Sequence, residues 1–123
     1  MNKTGFKELK VWQKDKDIAV YIYQVTNAGD FAKDFSLKDQ IRRAAVSIAG
    51  NIAEGDERGT DKEAVRFFYI AKGSSAEVLT QAIIAFEVGY IRQKTFYEIE
   101  KQCIEISSML SKLISARSKT FRP

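Results

Sequence analysis

The sequence contains no histidine, one cysteine and one proline, which is its last residue. Without histidine, the chain lacks the usual general base, Ser-His triads and His-dependent zinc or di-iron sites. The lone Cys103 cannot form an internal disulfide or a thiolate metal cluster, and its apolar helical register predicts a buried thiol rather than a reactive one. We therefore expect a protein that is not an enzyme and that needs no metal or cofactor.

Proline is also absent as a helix breaker from residues 1–122, and no alternating pattern typical of strands occurs. Long helices are favoured, so the expected fold class is all-α. No apolar run approaches the roughly 20 residues that span a bilayer, and the first ten residues lack the apolar segment of a signal peptide. These features favour a soluble cytoplasmic protein without a membrane partner.

A chain of 123 residues, 45% of them apolar, fits one domain that buries a single core. Ser36, Thr60 and Thr95 each precede an acidic residue by three positions, as in a capping box that opens a helix. These signals and the apolar spacing predict helices at about 7–28, 37–54, 61–88 and 96–116. Short connections make neighbouring helices antiparallel, so we expect an up-down-up-down four-helix bundle.

The second predicted helix has two distinct stripes when its residues are placed about 100° apart. Its apolar stripe, expected to face the core, contains Leu37, Ile41, Ala44, Ala45, Ile48 and Ile52. A polar stripe beside it contains Gln40, Arg43, Ser47, Asn51 and Glu54. Because this stripe borders the core, we expect Ser47, Asn51 and Glu54 to be substantially buried and hydrogen-bonded.

The backs of two predicted helices are apolar where an isolated bundle would be charged. These residues are Val46, Ala49 and Ala53 on the second helix, and Ile70, Ile84 and Val88 on the third. They cannot all face one core, and an exposed apolar patch marks an interaction site. We therefore predict a homo-oligomer that closes into a ring. Gly50, which costs about 1 kcal/mol relative to alanine, favours a close helix contact over a bend.

Basic charge is concentrated at the two chain ends. The chain has 20 Lys and Arg against 16 Asp and Glu, and residues 1–16 and 112–123 hold nine of those bases but only two of the acids. In an up-down bundle both segments emerge at one end, together with the acidic loop that contains Glu54, Asp56, Glu57 and Asp61. Such a basic pole suits a nucleic acid, although lysines that only solubilise the chain ends are equally compatible.

Two segments, QIRRAAVSIAGNIAEGDERGTDKE and FFYIAKGSSAEVLTQ, carry a family resemblance. They resemble the four-helix-bundle proteins encoded by intervening sequences in bacterial 23S rRNA genes, labelled S23 ribosomal proteins and related to accessory proteins of diversity-generating retroelements. The family pattern falls on Gln40, Arg42, Arg43, Ala44, Ser47, Asn51, Ile52, Ala53, Glu54, Gly55, Arg58, Ala71, Lys72, Gly73, Ser74 and Glu77. Ala49 and Gly50 stand where the family commonly has proline and a small residue, and Asp56 stands where it has an aromatic.

The resemblance implies a non-enzymatic bundle that forms a homopentameric barrel with basic surfaces and, in the retroelement relatives, binds a reverse transcriptase and nucleic acid. Our first hypothesis is therefore an oligomeric accessory protein that binds RNA. Its candidate contacts are Arg42, Arg43, Arg58, Arg66 and Lys72. An ion pair within or between subunits is the alternative for each, and is favoured for Arg43. The structural polar stripe would contain Gln40, Ser47, Asn51, Glu54, Ser74 and Glu77. A protein-binding scaffold without nucleic-acid affinity is the second hypothesis.

Overall fold

The computed structural model describes residues 5–121 of the chain. Within this range the protein consists of helices and connecting turns, with no strand. The four α-helices are α1 (Lys10–Val25), α2 (Phe35–Asp56), α3 (Asp61–Glu87) and α4 (Gln93–Ser118). Each helix packs against its sequence neighbours, and α1 also packs against α4, which closes the bundle. The predicted all-α four-helix bundle is confirmed.

The first helix is shorter than the predicted range 7–28. Residues Gly5–Glu8 form a separate 3₁₀ turn, and Leu9 has an extended backbone, so α1 begins only at Lys10. At its other end the Thr26 hydroxyl donates to the Ile22 carbonyl at 2.7 Å, which satisfies one of the last carbonyls of the helix. Gly29 then adopts a positive φ of 58° and turns the chain.

Two of the three expected capping boxes are wrong. Asp34, not Ser36, caps α2, because its carboxylate accepts from the backbone N–H of Leu37 at 3.0 Å. Thr95 lies inside α4, which begins two residues earlier. Thr60 caps α3 as predicted, since its hydroxyl accepts from the Glu63 N–H at 3.2 Å. An Asp preceding the first apolar residue of α2 is an equally good capping signal.

The core is formed by one apolar stripe from each helix. Its fully buried members include Ile22 of α1, Ile48 of α2, Phe68 of α3, and Ile106 and Leu110 of α4. The predicted core stripe of α2 is buried from Ile41 to Ile52, whereas Leu37 at its start is only partly buried. The bundle is therefore stabilised mainly by apolar burial between the four helices, to which α2 contributes from Ile41 to Ile52.

Gly55 lies where α2 and α3 approach most tightly near their connecting turn. A Cβ atom at this position would lie 2.8 Å from Cε1 of Phe68 and 3.0 Å from the carbonyl oxygen of Ala64. A Cβ atom at Gly50, by contrast, would have no other atom within 4 Å of it. The expectation of a close helix contact at Gly50 is therefore wrong within the chain. The close contact between helices is at Gly55 instead.

Asp15 is an acidic side chain in the core, which the sequence analysis did not anticipate. It occupies the helical register of Val11, Ile18 and Ile22 and is fully buried. Neither carboxyl oxygen has a hydrogen-bond partner among the described residues. Burial raises the pKa of Asp15 from 3.8 to about 8, against a weaker opposing effect of the Ala49 backbone. Near neutral pH this carboxyl is therefore protonated and contributes no negative charge.

Cys103 of α4 is buried as predicted. Its residue is 2% exposed, and burial raises the pKa of the thiol to about 12. Ser75 of α3 donates to the Cys103 carbonyl at 3.3 Å and so links the two helices at this level. Because the thiolate is the reactive form, a thiol in this environment is inert toward oxidation and exchange.

We predict that Asp15→Asn stabilises the protein increasingly as the pH rises. The Asp15 contribution to stability is fully present below pH 3.8, where the folded and unfolded chains are both protonated, and is lost as the pH rises to about 8. The variant should match the wild type near pH 4 and exceed its free energy of unfolding by about 2 kcal/mol or more at pH 8. Urea denaturation at several pH values measures this difference.

The matched control is Asp17→Asn, which removes an exposed carboxylate from the same helix. Its side chain is 73% exposed and paired only with the neighbouring Lys16, so its removal should leave the pH dependence close to that of the wild type. Equal pH profiles for the wild type and Asp15→Asn would contradict the assignment of a protonated core carboxyl.

We also predict opposite effects for two glycine-to-alanine changes. Gly55→Ala should destabilise the protein by about 1–3 kcal/mol, because the new methyl group overlaps Phe68 and the Ala64 carbonyl. Gly73→Ala, in the exposed middle of α3 with nothing within 4 Å, should stabilise it by about 0.5–1 kcal/mol through helix propensity. Thermal unfolding at equal protein concentration compares them. A neutral Gly55→Ala would show that the two helices can separate without cost.

Candidate nucleic-acid interface

Gly5, at the start of the described range, and Arg117, near its end, lie beside the turn between α2 and α3. A Cβ atom at Gly5 would lie 2.8 Å from a carboxylate oxygen of Glu57. At the other end, Arg117 pairs with Asp56 at 3.0 Å and with Asp61 at 3.3 Å. Part of the predicted basic pole is thus neutralised by the acidic loop. Two of the nine basic residues of that pole, at positions 3 and 122, lie outside the described residues.

Arg58 and Arg66 both lie close to one aromatic ring, that of Phe67, near the same turn. The guanidinium carbon of Arg58 is 4.6 Å from the Phe67 ring centroid, and that of Arg66 is 5.1 Å from it. Arg58 also pairs with Glu54 at 3.0 Å and Glu63 at 3.8 Å. Arg66 is exposed and forms no ion pair with any residue in the described range. We call Arg58, Arg66 and Phe67 the arginine cluster.

Arg42 lies near the other end of α2, where it contacts the end of α1. Its Nε donates to the Thr26 hydroxyl at 2.8 Å, and one terminal nitrogen donates to the Tyr23 carbonyl at 3.3 Å. The guanidinium carbon also lies 4.4 Å from the Tyr23 ring centroid. A cation at the carboxyl end of a helix is favoured by the unpaired carbonyls there, so Arg42 links α1 to α2.

The last two candidate contacts, Arg43 and Lys72, also have partners in the chain. Arg43 pairs with Asp39 one turn earlier at 2.7 Å, and this hydrogen bond raises the pKa of Arg43 further above its ordinary value. The pair is largely exposed, so it contributes little to stability. Lys72 donates to the Ser111 hydroxyl at 2.8 Å and joins α3 to α4. The five candidate cations therefore do not form one patch, and the structure brings together only Arg58 and Arg66.

The polar stripe of α2 meets α3 through two serines. The Ser47 and Ser74 hydroxyls are 3.0 Å apart, and the Asn51 amide donates to the Ser47 carbonyl at 2.8 Å and to its hydroxyl at 3.0 Å. Ser74 is buried, whereas Ser47 and Asn51 are partly buried. The expectation of burial is wrong for Glu54, whose side chain is 51% exposed beside Arg58. Glu54 lies near the end of α2, where the helices no longer cover it.

An open groove of about 330 Å³ lies along this seam between α2 and α3. Its lining consists of Gln40, Arg43, Ala44, Ser47, Glu77 and Gln81. Gln40 and Glu77 are exposed at its rim, and Gln40 donates to the Ser36 hydroxyl at 3.2 Å. The side-chain oxygen of Gln81 is buried there without a hydrogen-bond partner among the described residues. The seam is thus polar and open to solvent in the single chain.

Four of the six residues assigned to a subunit interface are exposed in the single chain. Val46 is 49% exposed, Ile70 44%, Ile84 46% and Val88 57%. Ala49 and Ala53 are only partly exposed, and the backbone of Ala49 lies near the buried Asp15 of α1. The small residues on that side of α2 are thus explained in part by α1 of the same chain. We refer to the four exposed residues Val46, Ile70, Ile84 and Val88 as the outer apolar face.

The described residues contain no candidate metal cluster and no candidate membrane-spanning helix. Residues 5–121 contain no group of three or more Asp, Glu, Cys or His side chains that could hold a metal ion. None of the four helices is long and apolar enough to cross a membrane. The sequence analysis did not anticipate that Arg58 and Arg66 both lie close to the Phe67 ring. The signal was available, because Arg66 directly precedes Phe67 and Arg58 lies in the turn before α3.

Comparison with known proteins identifies relatives with the same fold. A family model described as 23S rRNA-intervening sequence protein matches residues 7–112. A crystal structure of a protein of unknown function from the S23 ribosomal protein family, from Bacteroides thetaiotaomicron VPI-5482, has a TM-score of 0.78 to this chain at 24% sequence identity. The match covers 85% of this chain and 97% of that chain. No curated protein matches this chain. The chain belongs to the family of 23S rRNA-intervening sequence proteins.

Proposed function

We propose that the protein is a non-enzymatic, oligomeric accessory protein of the cytoplasm that binds RNA, or an RNA–protein complex, through basic surfaces. The observation that carries this proposal is the arginine cluster, in which Arg66 has no acidic partner among the described residues. Its side chain is available for a phosphate group. The family description, which refers to the 23S rRNA, supports RNA as the ligand.

The chemistry of the arginine cluster suits a phosphate backbone. A guanidinium group presents a planar fork of donors that matches phosphate oxygens, and it stacks on an aromatic face without losing those donors. Phe67 therefore orients both guanidinium groups. Arg66 keeps its donors available, whereas those of Arg58 are shared with Glu54 and Glu63. The formal net charge of +4 and a sequence pI of about 9.2 favour association with a polyanion.

Arg42 and Lys72 have a smaller part in this proposal. Both are partly buried and donate to groups on other helices, Arg42 to Thr26 and Lys72 to Ser111. Moving either side chain to a phosphate would leave the hydroxyl partner without its donor. These residues therefore hold the bundle together first, and Arg66 and Arg58 are the leading RNA contacts.

We also propose that the protein forms a closed homo-oligomer through the outer apolar face. Val46, Ile70, Ile84 and Val88 are each nearly half exposed or more in the single chain. Removing such residues from water stabilises an assembly. Unlike surfaces of α2 and α3 that meet head to tail form a ring, and the family resemblance points to a pentamer. A reverse transcriptase is a further partner suggested by that resemblance.

One observation favours a protein-binding scaffold as the second candidate. Four of the five candidate RNA contacts already have hydrogen-bonded or ionic partners within the chain. The outer apolar face is then the main unsatisfied surface, and its ligand would be protein. The two candidates differ in whether the protein has affinity for RNA at low salt.

The first prediction from this proposal concerns assembly. Light scattering at micromolar concentration should give a multiple of 13.9 kDa, the mass of one chain. Ile84→Glu should reduce it to that of the monomer while far-ultraviolet circular dichroism stays helical, because an unpaired charge is costly in a buried interface.

Ile104→Glu is the matched control, since Ile104 is 58% exposed on α4, outside the outer apolar face. It should leave the mass unchanged. A wild-type mass of 13.9 kDa would contradict the oligomer, a dimer would contradict the ring, and dissociation by Ile104→Glu alone would place the interface on α4.

The second prediction concerns RNA. Binding should weaken steeply with added salt and depend little on sequence, because phosphate contacts release counterions and read no bases. Arg66→Gln should lower the affinity by roughly fivefold and reduce the salt slope by about 1, measured by fluorescence anisotropy.

Arg43→Gln removes an equally basic side chain that is paired with Asp39, so it should change the affinity less than Arg66→Gln. If wild-type protein fails to bind RNA at low salt, the scaffold is the correct function. If the two variants weaken binding equally, the arginine cluster is not the contact.

A further inference from the structure

Phe35, the first residue of α2, has the most exposed large apolar side chain among the described residues. Its residue is 73% exposed, although it belongs to a helix whose other apolar residues mostly face the core. The bundle therefore derives little burial energy from this ring. An aromatic side chain left in water at the end of a helix is available for contact with a ligand.

Cations lie beside this ring and beside a second exposed ring nearby. The Lys38 ammonium is 4.7 Å from the Phe35 ring centroid and is held there by a 3.0 Å hydrogen bond to the Ala32 carbonyl. Arg42, one turn further, lies 4.4 Å from the ring of Tyr23, which is 44% exposed. Phe35, Lys38 and Arg42 are spaced by three and four residues, so they share one face of α2.

An open groove of about 500 Å³ runs along this face. It is lined by Phe35, Ser36, Lys38, Asp39, Gln40 and Arg42. On the other side of Phe35, a second open groove of about 570 Å³ includes Lys33, Asp34 and Tyr90. Phe35 therefore forms a ridge between two depressions, each of which has a lysine.

Two of the three nearby acids are occupied, whereas Asp30, which lines the second groove, forms no ion pair with any described residue. Asp34 accepts from the Leu37 N–H at 3.0 Å and from the Tyr90 hydroxyl at 2.9 Å, while Asp39 pairs with Arg43 at 2.7 Å. The ammonium of Lys38 and the guanidinium of Arg42 have no carboxylate partner among the residues described. An anion that approached the ridge would meet two cations without displacing an ion pair.

We propose that Phe35 is a stacking platform for an unpaired base of single-stranded nucleic acid, with Lys38 contacting the adjacent phosphate and Arg42 adding positive charge beside it while its Nε keeps its hydrogen bond to Thr26. The ammonium of Lys38 covers one face of the ring, and the base takes the other. Aromatic rings among cations are the usual means by which proteins hold single strands. This inference rests on the proposed function and adds a strand preference to it.

The pattern of groups favours a nucleotide over a second copy of the chain. A protein surface that covered Phe35 would also remove Lys38 and Arg42 from water, which is costly without paired acids. A nucleotide supplies a flat ring for Phe35 and a phosphate for the cations, so each group gains a matching partner. A second copy of the chain remains an outcome of the test.

The test compares a labelled ten-nucleotide single-stranded RNA with a duplex of the same sequence, by fluorescence anisotropy at low salt. Phe35→Leu keeps an apolar side chain but loses the flat ring, and should weaken single-strand binding by about fivefold or more while changing duplex binding little. Phe35→Tyr should retain the affinity. Tyr69→Leu is the matched control, because Tyr69 is 56% exposed on α3 near the other end of the bundle.

Four results would overturn the inference. Unchanged single-strand affinity in Phe35→Leu, with steep salt dependence in the wild type, would leave the proposed function intact and remove the stacking platform. An equal loss for single strand and duplex would show that the ring acts without stacking. A changed mass of Phe35→Leu in light scattering, with RNA affinity unaltered, would place Phe35 at a subunit contact. Absence of any RNA binding by the wild type would reject the proposed function together with this inference.

Discussion

The packing of α2 between α1 and α3 is the constraint on which the rest of the structure depends. Its apolar stripe from Ile41 to Ile52 is buried in the core. On one side Arg42 donates to the last turn of α1, and on the other Ser47 meets Ser74 of α3. Because every side of a helix faces a different neighbour, the order of residues along α2 sets how the other helices dock. Gly55 completes the arrangement by letting the end of α2 touch α3.

The bundle tolerates one group that opposes this packing. Asp15 occupies a core position of α1 without a hydrogen bond to any described residue, and burial keeps its carboxyl protonated up to about pH 8. An apolar side chain at position 15 would stabilise the core more than this carboxyl does. At neutral pH an exposed Asp15 would ionise, so its burial favours the unfolded chain, and the apolar packing around it must outweigh that cost. The same protonation makes the protein more cationic near neutral pH.

The surface chemistry divides the bundle into three regions. The arginine cluster lies at the turn between α2 and α3, the outer apolar face follows α2 and α3, and the ridge of Phe35 lies at the start of α2. Ile70 of the outer apolar face lies one turn after Arg66 of the arginine cluster on α3, so these two regions adjoin, whereas Phe35 lies at the opposite end of α2 from Arg58. Among the other basic side chains in the described range, Lys14, Lys72 and Arg117 pair with groups on other helices or turns, as Arg117 does with Asp56 and Asp61.

The sequence by itself determined the all-α bundle, the core stripe of α2 and the buried Cys103, because helical periodicity records which residues face the core. It also identified the basic residues but not their partners. Only the tertiary structure decided that Arg42 donates to the end of α1 while Arg66 has no acidic partner among the described residues, since such partners lie on other helices or are distant in sequence. Asp15 was missed for the same reason. A charged residue in a core register is identified as buried only when the neighbouring helices are seen to enclose it.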